Sequence, residues 1–320
     1  MAILFIGPTR LGDGILASGL LAALHERHPG EEITLACGAP AALALRDAPG
    51  VVSLHIMEKQ SRGRHWIELW RVARKRRWQR VVDLRRSALP WLLRADIRQS
   101  IPKGRPDEHR VALASRALGL PPQAPRPWLH AGHRAAAAHQ LPPGRPVLAL
   151  ATGANWVCKT WPAMRFAELA RRLTRKDGPL PNGVVLLVGG DAERKTAGAV
   201  TACLPPEDVI DTFGYDIAST AALLERADLF VGNDSAMMHL AAAAGTRTVG
   251  LFGPTRDEHY APWGPNAIVV RTPESFAALQ AMRDADARWR SQSQMEGLEV
   301  QAVEAAILSR WPCPDARHGV

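Results

Sequence analysis

Long apolar runs are missing from this 320-residue sequence. No stretch stays uninterrupted for the roughly 20 residues that a membrane-crossing helix needs. The apolar opening Met1-Ala2-Ile3-Leu4-Phe5-Ile6 lacks a basic leader and stops at Gly7-Pro8, so no secretion signal is expected. Cysteine is scarce: Cys37, Cys158, Cys203 and Cys313 stand far apart with no C-x-x-C pair. They read as isolated reduced thiols of a cytoplasmic protein, not as a disulfide frame or a zinc site. The histidines form no H-E-x-x-H and no cluster with Cys or carboxylates, so nothing supports a bound metal. A D-x-D triplet, Asp284-Ala285-Asp286, lies in polar helix-forming sequence and reads as a solvated face. Acidic residues are short in the first part of the chain: residues 1–140 carry 22 Lys and Arg against 11 Asp and Glu, and the remainder 18 against 20. The net charge of +9 is therefore concentrated in one half, which suits an anionic partner.

What is present is an ordinary globular share of hydrophobic residues, 47%, in a chain long enough for two domains. Short apolar segments alternate with segments of helical period, the pattern of parallel sheets with crossover helices. Strands are expected at 2–6, 33–37, 51–54 and 81–84, with helices at 15–27, 41–45 and 66–77. After a Pro- and Gly-rich stretch from Pro121 to Pro146 the pattern restarts. It predicts strands at 147–150, 184–188, 209–210, 229–231 and 248–252, helices at 162–174, 192–203, 217–226 and 236–244, and a last helix at 300–309. The expected division is 1–142, 143–295 and a C-terminal helix and tail, 296–320.

Each half opens with a strand that runs into a loop of small and polar residues and then a helix. In the first half Gly7-Pro8-Thr9-Arg10-Leu11-Gly12-Asp13-Gly14 is neither a dinucleotide fingerprint nor a P-loop. Asp13 allows two readings, a helix cap or a general base at the ligand-binding edge of the sheet. In the second half Ala151-Thr152-Gly153-Ala154-Asn155-Trp156-Val157-Cys158-Lys159-Thr160-Trp161-Pro162 places one lysine before a helix. Lys159 is either solvated or set to neutralise phosphate oxygens. Further on, Gly232-Asn233-Asp234-Ser235-Ala236-Met237-Met238-His239 starts another helix. Asp234 or Ser235 is expected to cap it, and His239 lies one turn inside, as a packing residue or a ligand contact.

The densest basic run, Arg62 to Arg80, has eight basic residues against Glu68 and is interleaved with Trp66, Trp70 and Trp78. Nucleic acid, an anionic membrane surface or a phosphorylated substrate would suit it, and so would a solvated helix face with its tryptophans turned inward.

Together these segments resemble glycosyltransferase family 9, the bacterial lipopolysaccharide heptosyltransferases. The resemblance is carried by Gly12-Asp13, Val81-Val82-Asp83-Leu84-Arg85-Arg86-Ser87, Thr152 to Trp156 with Lys159 and Trp161-Pro162, Val188-Gly189-Gly190-Asp191-Ala192-Glu193, and Val231 to Ala243 leading to Leu251-Phe252-Gly253-Pro254-Thr255. Departures are Gly19 in place of the usual proline, and Ala236-Met237 in place of Gly-Pro. The resemblance implies the GT-B fold, two Rossmann-like parallel-sheet domains facing across a cleft, with a C-terminal helix returning to the first domain. It implies an inverting, metal-independent transfer without a cofactor, of heptose from ADP-heptose to a lipopolysaccharide core or related glycolipid acceptor. Asp13 would be the base; Thr152 and Lys159 would hold the diphosphate, and Asp234, Ser235, Ala236 and His239 would bind the donor from the other side. Arg74, Lys75, Arg76 and Arg77 would meet the acceptor or the anionic inner-membrane surface, and no nucleic acid is expected. A non-catalytic nucleotide or polyanion binder and a sugar epimerase of the same fold are the alternatives.

Overall fold

The computed structural model describes residues 2–285, 289 and 291–312. The chain divides into two compact units, Met1–Trp128 and Leu129–Val320. In the first, β1 (Ala2–Ile6), α1 (Leu11–Arg27), β2 (Glu32–Cys37), α2 (Ala39–Leu45), β3 (Val51–Ile56), α3 (Arg64–Ala73), β4 (Trp78–Asp83), β5 (Ala95–Ser100) and α4 (Arg110–Ser115) follow one another. The five strands form a parallel sheet in the order β3-β2-β1-β4-β5. The central strands are buried on both faces, which is why they read as continuous apolar runs. Edge strand β5, Ala-Asp-Ile-Arg-Gln-Ser, is half exposed, so it lacked the apolar run by which the others were recognised.

The second unit contains α5 (Ala131–Gln140), β6 (Val147–Ala151), α6 (Ala163–Thr174), β7 (Val184–Leu187), α7 (Gly198–Cys203), β8 (Val209–Asp211), α8 (Ile217–Leu224), β9 (Leu229–Asn233), α9 (Ala236–Ala243), β10 (Thr248–Phe252), α10 (Asp257–Tyr260), β11 (Ala267–Arg271), α11 (Phe276–Ala285) and α12 (Val300–Arg310). Its sheet runs β11-β10-β9-β6-β7-β8, all parallel, the full doubly wound six-strand order. The expected helix at 192–203 is a 3-10 segment, Asp191–Ala197, followed by α7.

Two expectations about organisation change. The units part at Trp128, not at 142, because α5 belongs to the second unit: Arg134 donates to both carboxylate oxygens of Glu225 beside α8, at 2.8 and 2.9 Å, and Gln140 donates to the Tyr215 hydroxyl at 2.9 Å. The preceding prolines are held by the first unit. Gly19 explains how: a Cβ there would stand 2.1 Å from the carbonyl oxygen of Ala124, and Ser18 Oγ accepts from the Arg126 amide at 2.8 Å. The glycine in place of proline thus has a local packing reason. The C-terminal helix, in turn, is built into the second unit's own core. Val303 and Ile307 pack in one cluster with Trp161, Phe166 and Leu173, and Arg172 pairs with Glu304 at 2.9 Å.

No helix among the described residues is long and apolar enough to cross a membrane. Asp284 is on α11, where Arg283 donates to it at 3.1 Å, while Asp286 lies outside the described residues. Among those residues no group of three His, Cys, Asp or Glu side chains is placed to hold a metal ion.

Candidate active site

Ligands of doubly wound sheets bind where the winding reverses, outside the carboxyl ends of the strands. In the second unit β6 leads to β7 and β8 on one side, and the chain then returns to place β9 on the other. The reversal lies between β6 and β9, and the loops that leave those two strands carry Thr152, Lys159, Asp234, Ser235 and Ala236.

Asn233, the last residue of β9, organises these loops. It is fully buried, its Nδ2 donates to the carbonyls of Thr152 (2.9 Å) and Gly153 (3.3 Å), and its Oδ1 accepts from the Trp161 amide (2.9 Å). One side chain thereby fixes three strands of loop that would otherwise leave buried backbone groups without partners. The Trp161 indole donates to Leu298 O at 2.7 Å, Ser293 Oγ donates to Thr160 O at 2.7 Å, and the Gln294 amide to Cys158 O at 3.0 Å. The segment before α12 therefore clasps the lysine loop from outside.

Lys159 Nζ donates to Asp234 Oδ2 at 2.7 Å and stands 5.1 Å from the Trp156 ring centre. The side chains are 12% and 7% exposed, so the pair is held in a largely dehydrated place where charge interactions are strong. An ammonium has three donors; Lys159 Nζ also donates to the Asp234 carbonyl at 3.5 Å, which leaves one donor for a ligand. Because Asp234 is engaged with Lys159, Ser235 takes the N-cap position of α9, yet its hydroxyl makes no capping bond. Ser235 Oγ is buried and has no hydrogen-bond partner among the described residues. The start of α9 thus offers free amides and an uncommitted hydroxyl to an anion. His239 is buried one turn on. Thr152 is also buried, and its hydroxyl shares a hydrogen bond with Thr196 at 2.8 Å.

Glu193, the last residue of the Val188 to Glu193 pattern, also belongs to this edge. Cβ atoms on Gly153 and Gly189 would approach its side chain to 2.6 and 2.5 Å, so these glycines admit the carboxylate between two loops. Burial raises the Glu193 carboxyl above its ordinary range, opposed by the hydrogen bond from the Gly190 amide.

The first unit reverses between β1 and β4. Asp13 is half buried in the first turn of α1, not at its cap, which is Arg10. This is the carboxyl edge of the sheet. The loop after β4 is built around the buried Asp83, whose carboxylate accepts from the amides of Arg85 and Ser87 and from the Ser87 hydroxyl, each at 2.7 Å. The turn sets Arg86 at a φ of 54°, a conformation that costs a non-glycine residue free energy.

Arg74 to Arg77 fall elsewhere. The helix ends at Ala73, and these residues form the turn that enters β4, at the amino edge of the sheet. Six residues of strand at about 3.3 Å each put roughly 20 Å between that edge and the one that carries Asp13. Arg76 pairs with Glu32 at 3.4 Å and stacks on Trp78, Arg77 pairs with Asp96, and Arg74 lies over Trp70 at 4.5 Å. All four residues are exposed, and Arg74, Arg76 and Arg77 are engaged with their own neighbours.

Both reversals define a chain of two doubly wound units, one edge arranged for an anion and the other carrying a carboxylate. The sequence matches the family described as glycosyltransferase family 9 (heptosyltransferase) over residues 59–288, and the chain belongs to it. A segment of 126 residues is 34% identical to lipopolysaccharide heptosyltransferase 1 of Pseudomonas aeruginosa, covering 39% of this chain and 34% of that protein. The chain thus aligns with about a third of the length of that relative. Two solved structures share the whole fold at 22% identity: a family 9 glycosyltransferase from Veillonella parvula (TM-score 0.76, 97% of this chain and 96% of the other) and the Escherichia coli ADP-heptose heptosyltransferase II (0.73, 97% and 98%).

Proposed function

We propose that this protein is an inverting, metal-independent glycosyltransferase that moves heptose from ADP-heptose to a lipopolysaccharide core acceptor on the cytoplasmic face of the inner membrane. Family membership and the names of its relatives support this reading. The structural observation that carries it is the dehydrated Lys159–Asp234 pair beside the open start of α9.

Inverting transfer is a single displacement. The acceptor hydroxyl attacks the anomeric carbon as the nucleoside diphosphate departs from the opposite face, and Asp13 takes the hydroxyl's proton. Negative charge grows on the leaving oxygen. Lys159 and the first amides of α9 are fixed donors that meet this charge without reorganising at the moment of reaction. Asp234 holds the ammonium in place through the 2.7 Å hydrogen bond that Lys159 donates to its carboxylate.

The test is Asp13→Asn, which keeps the shape of the first turn and removes the base. Turnover with saturating acceptor is expected to fall about 10²-fold or more, with ADP affinity unchanged. A fall of less than threefold would leave Asp13 with a structural role only. Chelator is expected to leave activity intact, and its loss to EDTA with recovery on Mn²⁺ would refute metal independence.

A further inference from the structure

Beside the Asp83 turn, α3 and the short 3-10 turn Leu89–Leu92 enclose a cavity of about 660 Å³, within the range of small-molecule sites. Its walls are Trp66, Ile67, Trp70, Leu89 and Leu92, and its polar side is Arg85, Arg86 and Ser87. It stands at the carboxyl end of β4, next to the winding reversal that carries Asp13.

The cavity is built, not a gap between loose side chains. Arg98 donates to Pro90 O and Leu93 O, both at 2.9 Å, which pins the turn that presents Trp91 and Leu92, 74% and 64% exposed. Asp83 pins the opposite loop, and Arg86 holds its positive φ there. Arg85 lies 4.5 Å over the Trp66 ring. Arg85 also donates to Met57 Sδ at 3.7 Å, and neither Arg85 nor Arg86 makes an ion pair among the described residues. Large apolar side chains that face water on fixed backbone mark a binding surface, and two guanidiniums at its border select the charge of what binds.

A free sugar phosphate would satisfy the arginines and leave the apolar walls wet, and a neutral lipid would do the reverse. We propose that this cavity seats one anionic amphiphile, its acidic head on Arg85 and Arg86 and its first apolar carbons against Ile67, Trp70 and Leu92. Resting on the proposed acceptor, the first unit then reads the lipid anchor of its substrate and not the glycan alone.

The experiment is calorimetric titration of the full chain with dihexanoyl phosphatidic acid below its micellar concentration, beside glycerol 3-phosphate, which lacks the chains, and dihexanoyl phosphatidylcholine, which lacks the net charge. Phosphatidic acid is expected to bind at least tenfold tighter than either. The exposed-residue variants Arg86→Gln and Leu92→Asp are each expected to weaken it fivefold or more. Equal affinity for glycerol 3-phosphate or for phosphatidylcholine would overturn the proposal, as would both variants binding like the wild type. ADP titrated into the same samples separates the two readings. ADP binding without phosphatidic acid binding sinks the cavity and leaves the transferase, and the converse sinks the donor site and leaves the cavity.

Discussion

The two sheets are wound alike and reverse at equivalent places, but the loops there are furnished differently. In the second unit the edge is closed by internal hydrogen bonds: Asn233 ties three loop segments, Asp234 holds Lys159, and Glu193 is drawn between two glycine loops. In the first the backbone is pinned by Asp83 and Arg98, while Trp91, Leu92 and Arg86 remain open to solvent. A nucleotide diphosphate is compact and highly charged, and fixed donors in a dry place favour it because they need not reorganise. A large amphipathic ligand, as proposed for the first unit, would be met by area and by a few guanidiniums.

This contrast can be broken most sharply at Asn233. Asn233→Ala removes three hydrogen bonds and leaves buried backbone groups unpaired, at about 1–3 kcal/mol for each group left unsatisfied. Urea denaturation is expected to show a loss of roughly 3 kcal/mol with ADP binding abolished, whereas a loss under 1 kcal/mol would mean that the loops stand without the latch. Next in size is Lys159→Ala. Calorimetry is expected to show ADP binding weakened by about 1.5–3 kcal/mol, the scale of a hydrogen bond to a charged group, and AMP binding by less. Equal loss for both nucleotides would take Lys159 away from the diphosphate.

Glu193 offers a subtler check. Its carboxyl is raised in the folded protein, so the native state binds more protons than the unfolded one, and stability falls as pH climbs above the ordinary glutamate range. Glu193→Gln is therefore expected to raise the melting temperature by a few degrees at pH 7 while weakening the donor complex. The stability gain should shrink toward zero below about pH 4, where the unfolded glutamate is also protonated. A gain that persists at low pH would assign the effect to packing.

The smallest effect is expected at the amino edge. Replacing Arg76 and Arg77 with Gln removes two exposed ion pairs, each worth about 0–1 kcal/mol, and should leave ADP affinity and turnover unchanged. A tenfold loss of turnover would return this edge to the acceptor site.

Much of the fold was legible because buried parallel strands must be apolar throughout: the strands at 2–6 and 248–252 were read to the residue, and the core helices to within a few positions. The loops after β6 and β9 stood out because small and polar residues between an apolar strand and a helix interrupt the apolar pattern. Reading failed where the cause was not local. Strand β5 is half exposed and carries Asp96 and Arg98, so its apolar pattern is weak. Helix α5 lies in a Pro- and Gly-rich stretch, and only its bonds to Glu225 and Tyr215 assign it to the second unit.

The basic run shows where the sequence stops. Charge density alone gathers Arg62 to Arg80 into one patch, because a sequence has no edges. The strand direction then decides position: Arg74 to Arg77, inside the run, enter β4 at the amino edge, while Arg85 and Arg86, just beyond the run, leave β4 at the edge that carries Asp13. Composition, strand alternation and loop chemistry were determined by the residues themselves, since each rests on local periodicity and side-chain type. Which carboxylate faces Lys159, which asparagine ties the loops, and which arginines border a cavity were decided only when parallel pairing set residues some 70 to 80 positions apart, such as Thr152 and Asn233, within hydrogen-bonding reach.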